Sequence, residues 1–451
     1  MKSTFLKFVT LFTLAVITTA GVFAQGSVTP ETALKSYVNN GDKTYKWEVK
    51  DSLTKDNVTM YNLVLTSQTW RKITWRHQLT IFVPKVKQYD GALLFITGGS
   101  NKDEQPNWSK DDRLWPSLSA TAEKTKAIVA LIKQVPNQPL YGDLTEDALI
   151  SYTLHNFKKD NDYTWPLLFP MVKSAVKAMD AVQEFARKNN NFAVNRFVIS
   201  GASKRGWTTW LSSAIEDKRV VGIGPMVIDM LNMPATLDYQ FKSYGEYSIQ
   251  IEDYTKLGIP QSTDSKEGRA LTTMIDPYSY RKKLTIPKII FIGTNDEYWT
   301  VDAIKHYYDQ IPGKNMIHYT PNAGHDLAGG KQAFESLTAF FGLTLMNKEY
   351  PASTWTTTNG KEGVELSINA LQTDLVGATV WYTTSSDLDF RNNLWQSHNL
   401  KLAKEPVIKA TLPYAKKGYA AYYVDLKYKD PNGGTYTVST RVFLVDGSKV
   451  L

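Results

Sequence analysis

The sequence predicts an α/β protein in which helices cover a mostly parallel sheet, followed by a smaller all-β region. Short apolar strands alternate with helical segments from about residue 57 to residue 345, a pattern typical of a parallel sheet with helices on both faces. After residue 350 only strand-like segments and turns remain. The 451 residues exceed what one hydrophobic core usually holds, so we expect one domain at residues 25–348 and a second at 351–451.

The predicted strands of the first domain are short runs rich in branched apolar residues. They are residues 58–65, 78–83, 92–97, 127–133, 196–200, 220–228, 288–293 and 315–320. The first two follow each other closely, as an antiparallel pair at a sheet edge would. The clearest helix is predicted at 166–188, where apolar residues recur every three or four positions and three asparagines follow.

Two segments of the first domain, 100–120 and 231–284, lack a clean period but hold several aromatic residues. Insertions at these places would lie above the strand ends and shape a pocket as lids, and the alternative is that they are ordinary surface loops. The second domain is predicted to be a compact β-sandwich, acting either as a brace or as a carbohydrate-binding module. Its predicted strands are residues 363–370, 377–384, 407–412, 419–427 and 435–445.

Residues 1–24 are predicted to be a secretory signal peptide. Lys2 and Lys7 precede an apolar run that ends in Val22-Phe-Ala24, which offers small residues at the cleavage site. A membrane anchor is the alternative, but the run is short and interrupted by threonines. We therefore expect a secreted or periplasmic protein with no stable membrane anchor after cleavage.

Composition limits the classes of partner. The chain has no cysteine, so disulfides, a cysteine nucleophile and thiolate metal sites are excluded. The formal net charge is +8, but the basic residues are scattered, which does not favour nucleic-acid binding. No metal-ligand spacing is present, and we predict no metal and no other cofactor. The expected partner is a small-molecule, glycan or peptide substrate.

Small residues surround one serine at the point where a predicted strand runs into a predicted helix. The segment is Gly201-Ala-Ser-Lys-Arg-Gly206, and an α/β-hydrolase places its nucleophile at such a turn. The usual second glycine follows the serine by two residues, whereas here Arg205 takes that place and Gly206 comes one later. The alternative is a helix cap after a strand. The segment makes Ser203 the candidate nucleophile.

A serine nucleophile needs a base, and the base needs an acid that orients it. In the α/β-hydrolase fold the acid follows a later strand of the sheet, and Asp296 comes just after the strand predicted at 288–293. Asp229, beyond the strand at 220–228, and Glu297 are rival candidates. Asp296 is preferred because its place after that strand is the standard one.

The candidate base is His325, which comes after the last predicted strand of the first domain in the loop Asn322-Ala-Gly-His325. The order serine, acid, histidine is the order of the α/β-hydrolase fold. We therefore predict a triad of Ser203, Asp296 and His325.

Donors for the oxyanion are predicted on both sides of the nucleophile. The backbone N–H of Lys204 is one. Gly99 and Ser100, in the loop after the strand at 92–97, are the others, although the glycines there could equally form a simple turn. Aromatic residues flank the motifs and either bind a sugar or aryl group of the substrate or pack the core around the triad. They are Trp207, Tyr298 and Trp299.

These motifs together resemble the PhoPQ-activated pathogenicity-related proteins. The matching blocks are Thr97-Gly-Gly-Ser-Asn101, Gly201-Ala-Ser-Lys-Arg-Gly-Trp207, Gly293-Thr-Asn-Asp-Glu-Tyr-Trp299 and Asn322-Ala-Gly-His325. The resemblance implies an exported α/β-hydrolase fold with an appended β-domain. A more distant resemblance to glucuronoyl esterases covers only the serine motif, and it implies that the Lys204 side chain helps to hold the oxyanion.

The predicted function is therefore a secreted serine hydrolase that cleaves an ester or amide bond through an acyl-enzyme. The alternative is a non-catalytic secreted binding or signalling protein that keeps the fold, because some eukaryotic relatives of the family look like signalling proteins. The complete triad order favours the enzyme, since an abandoned site is expected to lose a member.

Overall fold

A computed structural model of the chain describes residues 28–109, 111–402 and 407–451. The predicted signal peptide lies outside these residues. The strands are β1 (Lys46–Lys55), β2 (Val58–Trp70), β3 (Ile73–Pro84), β4 (Gly91–Ile96), β5 (Asn101–Lys102), β6 (Gln105–Pro106), β7 (Ile128–Ile132), β8 (Arg196–Ala202), β9 (Val220–Met226), β10 (Lys288–Gly293), β11 (Asn315–Thr320), β12 (Thr354–Asn359), β13 (Gly363–Asn369), β14 (Leu375–Ser385), β15 (Gln396–Leu400), β16 (Val407–Pro413), β17 (Tyr419–Lys429), β18 (Thr435–Ser439) and β19 (Phe443–Val445).

The α-helices are α1 (Pro30–Val38), α2 (Trp115–Thr125), α3 (Glu146–Asp160), α4 (Leu168–Asn190), α5 (Lys204–Ala214), α6 (Met233–Tyr244), α7 (Glu252–Thr255), α8 (Lys266–Ile275) and α9 (Lys331–Leu345). Short 3-10 helices cover Ile249–Ile251, Pro260–Ser262, Pro277–Lys283, Ala303–His306, Tyr308–Gln310 and Leu327–Gly330. Among these described residues, no helix is long and apolar enough to span a bilayer.

The central sheet has the order β1-β2-β3-β7-β4-β8-β9-β10-β11. Its first three pairings are antiparallel, and every pairing from β7 to β11 is parallel. The parallel strands β4 and β7 are buried along their whole length, as expected for strands covered on both faces. This order, with helices on both sides, is the α/β-hydrolase fold, and it confirms the predicted fold class.

Helices cover the two faces of the sheet in separate groups. The long helix α4 packs with α5 on one face, where it contacts β2 and β4. On the other face α9 contacts β9, β10 and β11, and α2 contacts β3 and β7. The helix predicted at 166–188 corresponds to α4, whose C-cap residue, Asn191, has the left-handed conformation. The core therefore lies in two layers, one on each side of the sheet.

The edge of the sheet differs from the prediction. An additional strand, β1, pairs with β2 from Lys46↔Thr66 to Lys55↔Val58, although nearly all of its residues are exposed. Its sequence, Lys-Trp-Glu-Val-Lys-Asp-Ser-Leu-Thr-Lys, has too many charges to be recognised as a strand from composition. Backbone pairing with a long neighbour holds it in place, and charged side chains suit an edge strand that must not pair further.

The C-terminal strands form two antiparallel sheets, β12-β13-β16 and β18-β17-β14-β15, with β19 pairing to β17. Apolar residues of both sheets, such as Leu366 and Val424, belong to one buried cluster. The second sheet is continuous with the central sheet, since β11 pairs with β18 at Ile317↔Ser439. The predicted strand at 435–445 is two strands, β18 and β19, and β12 and β15 were not predicted.

Candidate active site

Ser203 is the single residue between β8 and α5. Its backbone angles are φ 58° and ψ −125°, in the left-handed region that a residue with a side chain rarely adopts. Two hydrogen bonds hold this turn: the Ser203 N–H donates to the Met226 carbonyl at 2.9 Å, and the Trp207 N–H donates to the Ser203 carbonyl at 2.9 Å. A strained turn of this kind holds the serine out at the carboxyl end of the sheet, as a nucleophile elbow requires.

The glycines around Ser203 are needed for close packing. A Cβ on Gly206 would lie 2.6 Å from the Met226 carbonyl oxygen, so α5 can approach the end of β9 only without a side chain there. A Cβ on Gly201 would lie 2.9 Å from the Cβ of Arg205. The second glycine of the motif, Gly206, therefore still permits a tight elbow although it comes one residue later than usual. Gly206 faces β9, and the Arg205 side chain occupies the space beside Gly201.

Arg205 holds the elbow against neighbouring segments. Its guanidinium donates two hydrogen bonds of 2.7 Å to the carboxylate of Glu146, at the start of α3. Burial alone would raise the pKa of Glu146, but the hydrogen bonds and charge of Arg205 lower it below the ordinary value. A Cβ on Gly98 would lie 2.6 Å from the guanidinium, so the loop after β4 runs directly past it. Arg205 is therefore a structural link beside the predicted oxyanion loop.

The predicted acid and base are hydrogen-bonded to each other. His325 Nδ1 lies 2.9 Å from Oδ2 and 3.1 Å from Oδ1 of Asp296. An ionised carboxylate only accepts, so Nδ1 carries the hydrogen and Nε2 is left as an acceptor. Asp296 is 3% exposed, and its Oδ1 also accepts the Tyr298 N–H at 2.9 Å. This arrangement fixes the tautomer that a general base needs.

The two rival acids have other partners. Glu297 accepts the backbone N–H of His325 at 3.1 Å, which holds the loop but not the ring. Asp229 accepts the hydroxyl of Tyr307 at 2.6 Å in a fully buried position. Burial, with a smaller contribution from the nearby Asp296, raises the pKa of Asp229 to about 8 against the opposing hydrogen bond from Tyr307. Asp229 is thus a buried acid behind the site.

His325 Nε2 is buried and has no hydrogen-bond partner within the described part of the chain, Ser203 included. Tyr298 stacks on the imidazole, with ring centroids 4.1 Å apart, and the same Tyr298 lines a cavity together with Ser203. Tyr298 therefore contacts His325 and lines the cavity beside Ser203, while no direct hydrogen bond joins the described serine and histidine side chains. In unliganded active sites this bond is often long and shortens when substrate binds.

The predicted oxyanion donors lie around the elbow. In the parallel pair of β4 and β8, Ile96 is opposite Gly201, so the loop with Gly99 and Ser100 leaves the sheet beside Ser203. Lys204 is the first residue of α5, where backbone N–H groups have no partner within the helix. Ser100 Oγ accepts a hydrogen bond of 2.6 Å from the Asn107 side chain, which holds this loop.

The Lys204 side chain is already paired. Its ammonium lies 2.6 Å from Asp147 Oδ2, and Asp147 also accepts the hydroxyl of Tyr254 at 2.9 Å. The ammonium is 5.7 Å from the centroid of the Tyr298 ring. Asp147 and Tyr254 were missed in the sequence, because an acid at the first turn of a helix also has a local explanation in the helix dipole. The role that the glucuronoyl-esterase resemblance implies for Lys204 competes with this ion pair.

A cavity of about 70 Å³ lies beside Ser203. Its walls include residues of α3, of α5 and of the insertion at 231–284. Most of the lining is apolar and includes Leu154, Met230, Leu237, Ile251, Ile259 and Leu271. By contrast, no described residue of the segment 100–120 lines it. That segment contains the hairpin β5–β6 and the start of α2. Hydrogen bonds such as that from the Gln78 side chain to the Ser109 carbonyl attach it to β3.

The three predicted aromatic residues, Trp207, Tyr298 and Trp299, all line this cavity. Trp207 is 3% exposed and donates its indole N–H to the Ile275 carbonyl of the insertion at 2.6 Å. Trp299 is also buried, and its carbonyl accepts the Tyr244 hydroxyl at 2.9 Å. Both tryptophans thus pack the wall and attach the insertion, while Tyr298 lies against His325.

The fold is that of the α/β-hydrolases, and the site holds a serine at an elbow with a histidine–aspartate pair after the later strands. The chain belongs to the PhoPQ-activated pathogenicity-related protein family, whose model matches residues 34–391. A relative, autocrine proliferation repressor protein A of Dictyostelium discoideum, is 33% identical over 345 residues, which are 73% of this chain and 69% of the relative.

Among solved structures, the chain is similar to acetyl xylan esterase 1 from a Thermoanaerobacterium species, with 19% identity and a TM-score of 0.48 over 70% of this chain and 94% of the esterase. It is also similar to an S-formylglutathione hydrolase from Agrobacterium tumefaciens, with 9% identity and a TM-score of 0.44 over 66% of this chain and 99% of the hydrolase.

Proposed function

We propose that the protein is a serine hydrolase that cleaves a carboxylic ester or amide through an acyl-enzyme. One observation carries the proposal: the buried Asp296 bonds His325 Nδ1 and leaves Nε2 as an acceptor, and Tyr298, which stacks on this ring, also lines the cavity beside Ser203. His325 takes the Ser203 hydroxyl proton as Oγ attacks the carbonyl carbon, and returns it to the leaving alcohol or amine. Water then attacks the acyl-enzyme, with His325 again as the base.

The negative charge of each tetrahedral intermediate develops on the former carbonyl oxygen. In the proposed mechanism the Lys204 N–H donates to it from the start of α5, where the helix dipole also favours negative charge. The second donor comes from the loop with Gly99 and Ser100, which leaves the sheet beside the elbow. Tyr298, stacked on the imidazole, restricts its rotation.

The substrate proposed for this site carries a neutral, apolar group next to the scissile bond. The cavity wall is mostly apolar, and its Lys204 ammonium is neutralised by Asp147 at 2.6 Å. A charged group placed there would lose its hydration without gaining a free counter-charge. A series of p-nitrophenyl esters tests this: we expect acetate and butyrate to be cleaved faster than a hemisuccinate of similar size. Faster cleavage of the hemisuccinate would contradict it.

A fluorophosphonate probe tests the nucleophile. Wild type is expected to be labelled and to hydrolyse p-nitrophenyl acetate, and Ser203→Ala to lose both. The matched control is Ser279→Ala, at an exposed serine of the insertion whose hydroxyl donates to the Thr272 carbonyl, and it should behave as wild type. Absence of labelling in folded wild type would overturn the proposal.

A second candidate is a non-catalytic secreted signalling protein. The observation that favours it is the similarity to a relative named as a proliferation repressor. This candidate predicts that Ser203→Ala retains the biological effect of wild type on cells, whereas the hydrolase proposal predicts its loss whenever the effect depends on catalysis. Export is proposed for both candidates: the mature chain should begin at Gln25, which N-terminal sequencing of the exported protein determines.

A further inference from the structure

The loop between β14 and β15, residues 386–395, reaches from the C-terminal sheets to the loop that carries the candidate acid. We call residues 386–395 the bracing loop. The side-chain amide of Asn295, the residue before Asp296, donates to three of its carbonyls: Asn393 at 2.8 Å, Arg391 at 3.0 Å and Phe390 at 3.4 Å. A single amide directed at three carbonyls holds the two loops together, because each carbonyl is an acceptor that needs a partner.

The same loop also holds the segment that leads to the candidate base. Asn322 lies three residues before His325 and forms a two-way contact with Trp395. The Asn322 amide donates to the Trp395 carbonyl at 3.0 Å, and the Trp395 N–H donates to Asn322 Oδ1 at 2.7 Å. The acid loop and the base loop are therefore attached to one element that lies outside the hydrolase strands.

The two attached loops are also bonded to each other. The Asn295 N–H donates to the Ala323 carbonyl at 2.9 Å, and the Asn322 N–H donates to Thr294 Oγ1 at 2.8 Å. A Cβ on Gly293 would collide with the Ala323 carbonyl oxygen, so the backbones of the two loops approach as closely as a glycine allows. A displacement of either asparagine would therefore move both loops.

The bracing loop is itself anchored. Phe390 and Trp395 are each 2% exposed and belong to the same buried cluster as the hydrolase helices. The Arg391 guanidinium lies 3.9 Å from the centroid of the Tyr244 ring on α6, and Tyr244 in turn donates to the Trp299 carbonyl at the cavity. The loop thus contacts the acid loop, the base loop and the insertion.

We infer that the bracing loop is a positioning element for the candidate catalytic pair, and that Asn295 and Asn322 are the positioning residues through which it acts. The inference rests on the proposed function for its catalytic meaning. Asp296 and His325 come from two loops after different strands, and an error of about 1 Å in their placement is enough to lower the rate of a positioned reaction about a hundredfold. The C-terminal sheets therefore contribute to the site without touching substrate.

The experiment compares Asn295→Ala and Asn322→Ala with Asn399→Ala, all in the full chain. Asn399 is an exposed residue of β15 whose side-chain oxygen accepts the Thr379 hydroxyl of the neighbouring strand, so it is a control for changes within the same sheet. The first readout is kinetic: the rate of fluorophosphonate labelling, and kcat and KM for p-nitrophenyl acetate. The second readout is the proton NMR resonance of the His325 Nδ1–H that donates to Asp296.

We expect kcat and the labelling rate of both asparagine variants to fall about 10- to 100-fold, with KM changed less than about threefold, and the Nδ1–H resonance to shift or broaden. The Asn399 control should match wild type in every readout. Because Asn322 is exposed, its variant should fold, which keeps the inference testable if Asn295→Ala does not.

Wild-type kcat and an unchanged resonance in the folded Asn322 variant would overturn the inference. If wild type itself is not labelled, the proposed function fails, and the resonance alone then decides: a shift in the asparagine variants supports positioning, and an unchanged resonance overturns it. A general loss of stability without displacement of the pair would lower the unfolding midpoint and leave the resonance of the folded fraction unchanged, which also contradicts positioning.

Discussion

The substitution Asp229→Asn is expected to change how stability depends on pH. Asp229 lies just beyond β9, fully buried, with its Oδ1 bonded to the Tyr307 hydroxyl and its Oδ2 without a partner among the described residues. Burial raises its pKa from the ordinary 3.8 to about 8. Between these two pH values the folded protein keeps a proton that the unfolded chain has released, so stability falls as pH rises.

The magnitude follows from the two pKa values. With about 8 in the folded protein and 3.8 in the unfolded chain, the loss of stability from this group between pH 4 and pH 7 is about 4 kcal/mol. Asparagine is neutral at every pH, can still accept from Tyr307, and places an N–H₂ group where the protonated acid has its O–H. The variant should therefore equal wild type near pH 4 and exceed it by up to about 4 kcal/mol at pH 7.

Urea unfolding at half-unit steps from pH 4 to pH 8 measures this difference. Two other buried acids with raised pKa values of about 7, Asp276 and Asp425, are present in both proteins and cancel in the comparison. Asp238→Asn, at an exposed residue of α6 paired with Lys242, is the control for the exchange of a carboxylate for an amide, and its effect on stability should be small because exposed ion pairs contribute little. If the difference in stability between Asp229→Asn and wild type did not change with pH, the conclusion that a neutral acid lies behind the site would be refuted.

The remaining predictions concern the candidate site. Asp296→Asn should lower kcat for p-nitrophenyl acetate by about 10³- to 10⁴-fold, because the wrong His325 tautomer is then favoured, and wild-type kcat in steady-state kinetics would contradict the role of the acid. Gly206→Ala should destabilise the protein by about 1–3 kcal/mol in calorimetry and slow fluorophosphonate labelling, because the added Cβ would lie 2.6 Å from the Met226 carbonyl oxygen. Wild-type stability and labelling would show that the elbow tolerates a side chain at this position. Lys204→Met should cost about 2–3 kcal/mol in urea unfolding, because it removes the ion-pair partner of the largely buried Asp147, and an unchanged midpoint would show that the pair is not stabilising.

Much of the fold could be predicted because its signals are local. The parallel strands are continuous apolar runs such as Leu-Leu-Phe-Ile in β4, and the long helix α4 has an apolar residue at every third or fourth position. Such periods follow from the geometry of the strand and the helix, so they are readable in a short window. The edge strand β1 has no such period, and only its pairing with β2 identifies it.

The choice of acid shows where local reasoning ends. Asp229, Asp296 and Glu297 all follow the ends of strands, and by position alone each could orient a histidine. The structure separates them by partners distant in the chain: Asp296 bonds the His325 ring, Glu297 its backbone and Asp229 the Tyr307 hydroxyl. Hydrogen bonds between residues so far apart in sequence depend on how the strands pair and the loops after them pack, and a short window of sequence does not contain this information.

By itself, the sequence determined the α/β architecture and the order of serine, acid and histidine around Ser203, because each depends on a strand, a turn or a helix formed by neighbouring residues. Only the tertiary structure decided which insertion forms the cavity, which partner neutralises Lys204, and that a loop between two C-terminal strands holds the residues beside Asp296 and His325. Those features are contacts between segments far apart in the chain, and such contacts arise only when the sheets and helices have packed together.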